Sequence, residues 1–112
     1  VTTSATAWLG LTEVATLLDV SPGKVRRLIQ ENSLLARRID GVWSVPEVFF
    51  DDDGVLGDLK GTAVVLIDGG FSSDQALDWL LADNDLLGLS PIEAIRQGRK
   101  TEVRRLAQTL AY

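Results

Sequence analysis

DVSPGKVRRLIQ, Asp19 to Gln30, holds the start of a helix and a cluster of positive charge in a dozen residues. Ser21 is a favoured N-cap, and Pro22 suits the first helical position, where the missing N–H costs nothing. Val25, Leu28 and Ile29 then recur about one turn apart and make a stripe for burial. Gly23, Arg26, Arg27 and Gln30 fall on the opposite side. Asn32 supplies a left-handed stop. Two adjacent arginines therefore project from a cleanly begun helix, in a chain with a net charge of −5.

Upstream, Leu11–Leu18 reads LTEVATLL. Thr12 serves as a cap, Glu13 sits in the first turn, and Val14, Leu17 and Leu18 share a face, so a helix of about two turns is expected. Asp19-Val20 breaks it. Downstream, Leu34–Pro46 reads LLARRIDGVWSVP. Asp40-Gly41 is a strong two-residue hairpin signal. It pairs Ile39 with Val42, Arg38 with Trp43 and Arg37 with Ser44. Arg38 then lies over the Trp43 ring, and Arg37 points from the other face. Pro46 ends the second strand.

Beyond the hairpin, DDDG at Asp51–Gly54 reads as a solvated turn. It does not match a calcium loop, because aligning Gly54 with that loop's glycine puts Phe49 at the first ligand position. TAVVLI, Thr62–Ile67, fits a strand or a buried helix. A helix from about Leu59 to Asp68, stopped by Gly69-Gly70, is the preferred reading. Ser72 and Gln75 form a capping box. Behind it Ala76, Leu77, Trp79, Leu80 and Leu81 belong to another helix. Ser90-Pro91-Ile92-Glu93 starts a third, with cap, N1 proline and capping-box Glu, ending at Gly98. The last helix runs from about Arg99 to Ala111, with Val103, Leu106, Ala107 and Leu110 on one face. Trp8, Trp43 and Trp79 are expected in or near the core.

Composition narrows the function. The 112 residues suit one core, and 46% of them are apolar. With no Cys and no His, there is no disulfide, no thiol nucleophile, no usual general base and no usual zinc ligand. No run is long enough to span a bilayer, so no membrane partner is expected. VTTSATAW at the N-terminus lacks the basic and apolar regions of a secretory signal, so a cytoplasmic location is expected. The charge is uneven: net +1 over residues 1–46, −9 over 47–90 and +3 over 91–112. The acidity belongs to the middle.

These features predict a mainly α fold: a winged helix-turn-helix with a small β-hairpin wing over residues 1–50, and a helical C-terminal extension over 51–112 packed on it. In such a motif the second helix enters the DNA major groove. Arg26, Arg27 and Gln30 have the right chemistry and phase to read base edges. Ser21, Lys24, Arg37 and Arg38 are assigned to the phosphate backbone, and Gly23 permits close approach. The acidic middle would face away from the DNA. The expected partner is double-stranded DNA, bound by a regulator of transcription. The final amphipathic helix is the candidate contact for a homodimer or a protein partner. No cofactor, metal or catalysed reaction is expected. A metal-dependent enzyme built on Asp51, Asp52, Asp53 and Asp58 is a remote rival. The plain alternative is that helix surfaces carry arginines for solubility and i,i+4 pairing, as at Arg27 and Glu31.

LTEVATLLDVSPGKVRRLIQENSLLARRIDGVWSVP also resembles the excisionase and MerR-type winged helix. Val20-Ser21, Arg26-Arg27, Arg38, Gly41, Trp43 and Pro46 carry the likeness. Asn32-Ser33 stands where those domains commonly have a glycine. VPEVFF, IDGGF, Trp79-Leu80 and EVRRLAQTLAY extend it to a small actinobacterial family of winged-helix DNA-binding proteins with a helical C-terminal domain. That resemblance covers nearly the whole chain from Trp8 onward and implies a DNA-binding regulator without catalytic residues. WLLADNDLLGLSPIEAIRQGRKTEVRRLAQ is similar to the toxin-binding domain of some antitoxins. This second likeness implies an interaction module in which Ile92, Ile95, Val103, Leu106 and Leu110 partly line a partner surface. The favoured alternative is that the same stripe closes the core.

Overall fold

A computed structural model describes residues 7–111; the stretch read above for a secretory signal lies mostly outside them. The chain opens with a short strand, β1 (Trp8–Gly10), and passes directly into α1 (Leu11–Leu18). The α1 cap is not Thr12. Gly10 takes the N-cap position, and the Glu13 carboxylate accepts its N–H at 3.0 Å. Thr12 lies inside the first turn because the strand hands over to the helix two residues earlier than a Thr cap requires. Asp19 adopts a left-handed φ of 57°. Its N–H donates to the Thr16 carbonyl and that of Val20 to Ala15, closing the helix.

α2 (Pro22–Gln30) begins at Ser21, whose Oγ accepts the Lys24 N–H at 3.2 Å. It ends at Asn32, where φ is 61° and the N–H groups of Asn32 and Ser33 donate to Ile29 and Leu28. This is the left-handed stop that the sequence signals. Val25 is fully buried against α1, while Leu28 and Ile29 pack on the core from its margin.

β2 (Arg37–Ile39) and β3 (Val42–Pro46) form the expected hairpin, in the expected register. Asp40 and Gly41 both have positive φ, 54° and 81°, as the tight hairpin turn requires. The wing, however, is more than a hairpin. β1 pairs antiparallel with the free side of β3, giving a sheet ordered β1-β3-β2. β3 is thus the central strand, and its Ser44, Val45 and Pro46 are buried. Trp43 corrects the core expectation: it is 42% exposed, because its partner on the hairpin is Arg38 rather than the core.

A 3₁₀ turn (Glu47–Phe49) leads to a second, two-stranded ribbon, β4 (Phe50–Asp51) and β5 (Gly54–Val55). The aspartate run is its exposed tip, with Asp51 Oδ1 accepting the Asp53 N–H. Thr62–Ile67 is helical, within α3 (Leu59–Asp68). α4 (Ser73–Leu81) carries the full capping box of Ser72 and Gln75. α5 (Pro91–Arg96) starts at Ser90, whose Oγ accepts the Glu93 N–H. Glu93 forms no return bond to Ser90, so only half of that box is made. α6 (Lys100–Ala111) closes the chain against α3. Gly61 on α3 leaves room for the Arg104 guanidinium of α6 to lie across it, where a Cβ would collide.

One apolar core joins the two regions. Val14, Val25, Leu34 and Val45 from the first, and Leu59, Leu66, Leu77, Leu80 and Val103 from the second, belong to it, with Phe49 fully buried at the junction. Ile92, Ile95 and Val103, offered above as a partner surface, are at most 3% exposed. They close the core instead. Of that stripe, Leu106 is half-buried and Leu110 is 48% exposed.

Candidate nucleic-acid interface

α2 presents Gly23, Lys24, Arg26, Arg27 and Gln30 to solvent. This follows from the burial of Val25, Leu28 and Ile29, since a helix that sinks one stripe must raise the opposite one. Among the described residues neither Arg26 nor Arg27 forms an ion pair, and the i,i+4 pairing of Arg27 with Glu31 is not made. Ser21 is exposed, and its hydroxyl caps the helix.

The wing meets this helix. Arg38 lies over the Trp43 ring, with its Cζ 5.0 Å from the ring centre. A shallow concavity of about 170 Å³ between the two elements is lined by Leu11, Arg26, Ile29, Gln30 and Trp43. The helix face and the hairpin are therefore one continuous surface. Trp43 is the contributor that sequence reasoning missed. The signal was present, because the hairpin register put it opposite Arg38 on a face that need not be buried.

Arg37 does not join that surface. Its alternate position on the strand sends it to the other face of the sheet, where α4 waits. Arg37 Nε donates to Asp74 Oδ1 at 2.9 Å. Its Nη2 donates to Asp78 Oδ1 at 2.6 Å and to the Asp74 carbonyl at 3.0 Å. Trp8 lies beneath, 5.9 Å from ring centre to Cζ. The Asp74 hydrogen bond, then that of Asp78, raises the Arg37 pKa above its ordinary value, so it stays cationic. Arg37, assigned above to a phosphate, is thus engaged by two carboxylates one helical turn apart. Nor does the acidic middle wholly face away, since α4 turns two aspartates toward the wing.

A helix pair with a tight turn, followed by an antiparallel wing and then a helical layer sharing the core, makes this a winged helix-turn-helix protein with a helical C-terminal region. Comparison with known proteins gives the family. The model described as "DNA-binding protein Rv2175c, wHTH domain" matches residues 1–50. The model described as "Rv2175c C-terminal domain of unknown function" matches residues 56–111. The chain is 32% identical over 115 residues to DNA-binding protein Rv2175c of Mycobacterium tuberculosis, spanning 91% of this chain and 79% of that one. An NMR structure of Rv2175c superposes with a TM-score of 0.89 at 30% identity, covering 100% of this chain and 86% of the other. The chain belongs to the Rv2175c family.

No helix among the described residues is long and apolar enough to cross a membrane. Among the same residues no group of three or more carboxylates is placed to hold a metal ion.

Proposed function

We infer that the protein binds double-stranded DNA sequence-specifically and acts in transcriptional control, with α2 in the major groove and the hairpin against the backbone. The observation that carries this reading is the continuity of the Arg26–Gln30 helix face with Arg38 and Trp43. Arginines without carboxylate partners on one surface of an acidic chain are suited to a polyanion. The relative's name supports the same ligand.

Roles follow from position. Arg26, Arg27 and Gln30 read base edges, where arginine is matched to guanine and glutamine to adenine. Lys24, Ser21 and Arg38 meet phosphates, and Gly23 admits the backbone closely. Arg37 is not in this set. A single module makes few phosphate contacts, so monomer binding is weak and falls steeply with salt. Tight binding needs two copies on paired half-sites.

The decisive experiment selects bound sequences from a random duplex pool at two salt concentrations and then compares Arg26→Ala/Arg27→Ala on the winning site. Two lost base contacts weaken binding by about a hundredfold or more. Both positions are exposed, so stability stays within about 0.5 kcal/mol. Equal affinity of the double variant would remove α2 from the interface.

A further inference from the structure

Away from the α2–wing surface, a second and larger concavity of about 790 Å³ runs between α1, the 3₁₀ turn, β4 and α5. It shares no lining residue with the concavity at Arg26 and Trp43. Its floor is apolar: Leu9 from β1, Leu17 from α1, and Val48 and Phe50. Leu17 is 53% exposed there, whereas the four other apolar side chains of its helix, Leu11, Val14, Ala15 and Leu18, are buried or half-buried. The rim is acidic. Glu13, Glu47, Asp51, Asp52 and Glu93 set five carboxylates around it. Among the described residues the one cation on its wall is Arg96, whose Nη1 already donates to the carbonyls of Val48 at 3.0 Å and Phe50 at 2.7 Å.

An apolar floor inside a ring of carboxylates selects its occupant by charge. Nucleic acid and acidic peptides are repelled. A segment with apolar side chains along one face and Lys or Arg beside them satisfies both parts, with burial supplying affinity and the rim supplying orientation and encounter rate. We propose that this groove docks a basic amphipathic helix of a partner protein. A second copy of this chain does not supply that helix. Its basic helices α2 and α6 already bury their apolar faces, through Val25 and through Val103 and Ala107, and docking either one would unfold its donor. The groove and the α2–wing concavity have separate linings, so a partner in the groove leaves Arg26, Gln30 and Trp43 uncovered.

The probe is a synthetic Leu/Lys peptide with leucines at i, i+3, i+4 and i+7, titrated into the full chain at physiological ionic strength. Oligolysine of equal charge and a Leu/Glu peptide of the same pattern are the controls. The Leu/Lys peptide should bind saturably and at least about tenfold tighter than oligolysine, the margin one buried leucine provides. Amide shifts in nuclear magnetic resonance should map to Thr12–Leu17 and Glu47–Asp52. Leu17→Lys/Glu47→Lys should lose about tenfold. Asp51→Asn/Asp52→Asn, at an exposed turn, gives a second, smaller loss should the first variant fail to fold. Equal binding of oligolysine or of the Leu/Glu peptide would overturn the proposal. So would shifts centred on Asp74 and Asp78, unchanged affinity in a folded variant, or sedimentation showing a dimer that the peptide dissociates.

Discussion

In the winged-helix region, Arg26, Arg27 and Arg38 stand on exposed surface, and among the described residues none has a carboxylate partner. In the helical region, Arg96 reaches back to two carbonyls of the junction, and Arg99 grips Glu102 while donating to the Leu87 carbonyl. Arg26, Arg27 and Arg38 face outward, whereas Arg96 and Arg99 tie separate segments of the chain together. Arg37 and Arg38 compress this contrast into two consecutive residues, because a strand sends neighbours to opposite faces. Residue type alone says little about an arginine's use; the element beneath it and the carboxylates within reach decide.

The strongest way to break the contrast is to disconnect the regions. Phe49 is buried where they join, and Phe49→Ala should cost about 3–5 kcal/mol. A single cooperative thermal transition shifted to lower temperature, with the whole chain melting together, would show that the core is shared. Two separate transitions would show that it is not. Next is Arg96→Ala, which strands the Val48 and Phe50 carbonyls and should cost about 2 kcal/mol in denaturant titration.

The wing pair sharpens the comparison further. Arg37→Ala should destabilise by about 1 kcal/mol, a figure held down by solvent screening at a side chain 27% exposed, and should leave DNA affinity nearly intact. Arg38→Ala should do the reverse, with unchanged melting and weaker, less salt-dependent binding. A swap of these outcomes would reverse the assignments. The smallest effect concerns acid. The hydrogen bond from Arg99 lowers the Glu102 pKa. A depressed carboxylate contributes stability above its unfolded pKa of about 4.3, and loses it as pH falls through the folded value. Wild type and Glu102→Gln should therefore differ slightly at neutral pH and converge in acid.

What the sequence revealed was local. Ser21, Ser72 and Ser90 cap helices through bonds spanning three residues, and Asp40-Gly41 fixes its own turn, so each could be read within a short window. The α2 stripe was equally legible from its period. What escaped was contact at a distance. β1 is three residues long and exists because β3, more than thirty residues on, has a free side. The use of Arg37 depends on Asp74, at a separation of 37 residues. The acidic groove draws its walls from β1, α1, β4 and α5, and no single window contains them.

Trp43 remains, an indole in water with a guanidinium resting on its face, while Trp8 and Trp79 are half-covered. Its greater exposure is expected to make it the red-shifted, more collisionally quenchable part of the protein's tryptophan emission. Whatever closes over the hairpin, or lifts Arg38 away, changes that light. The molecule carries an optical gauge of its own wing, with no dye attached.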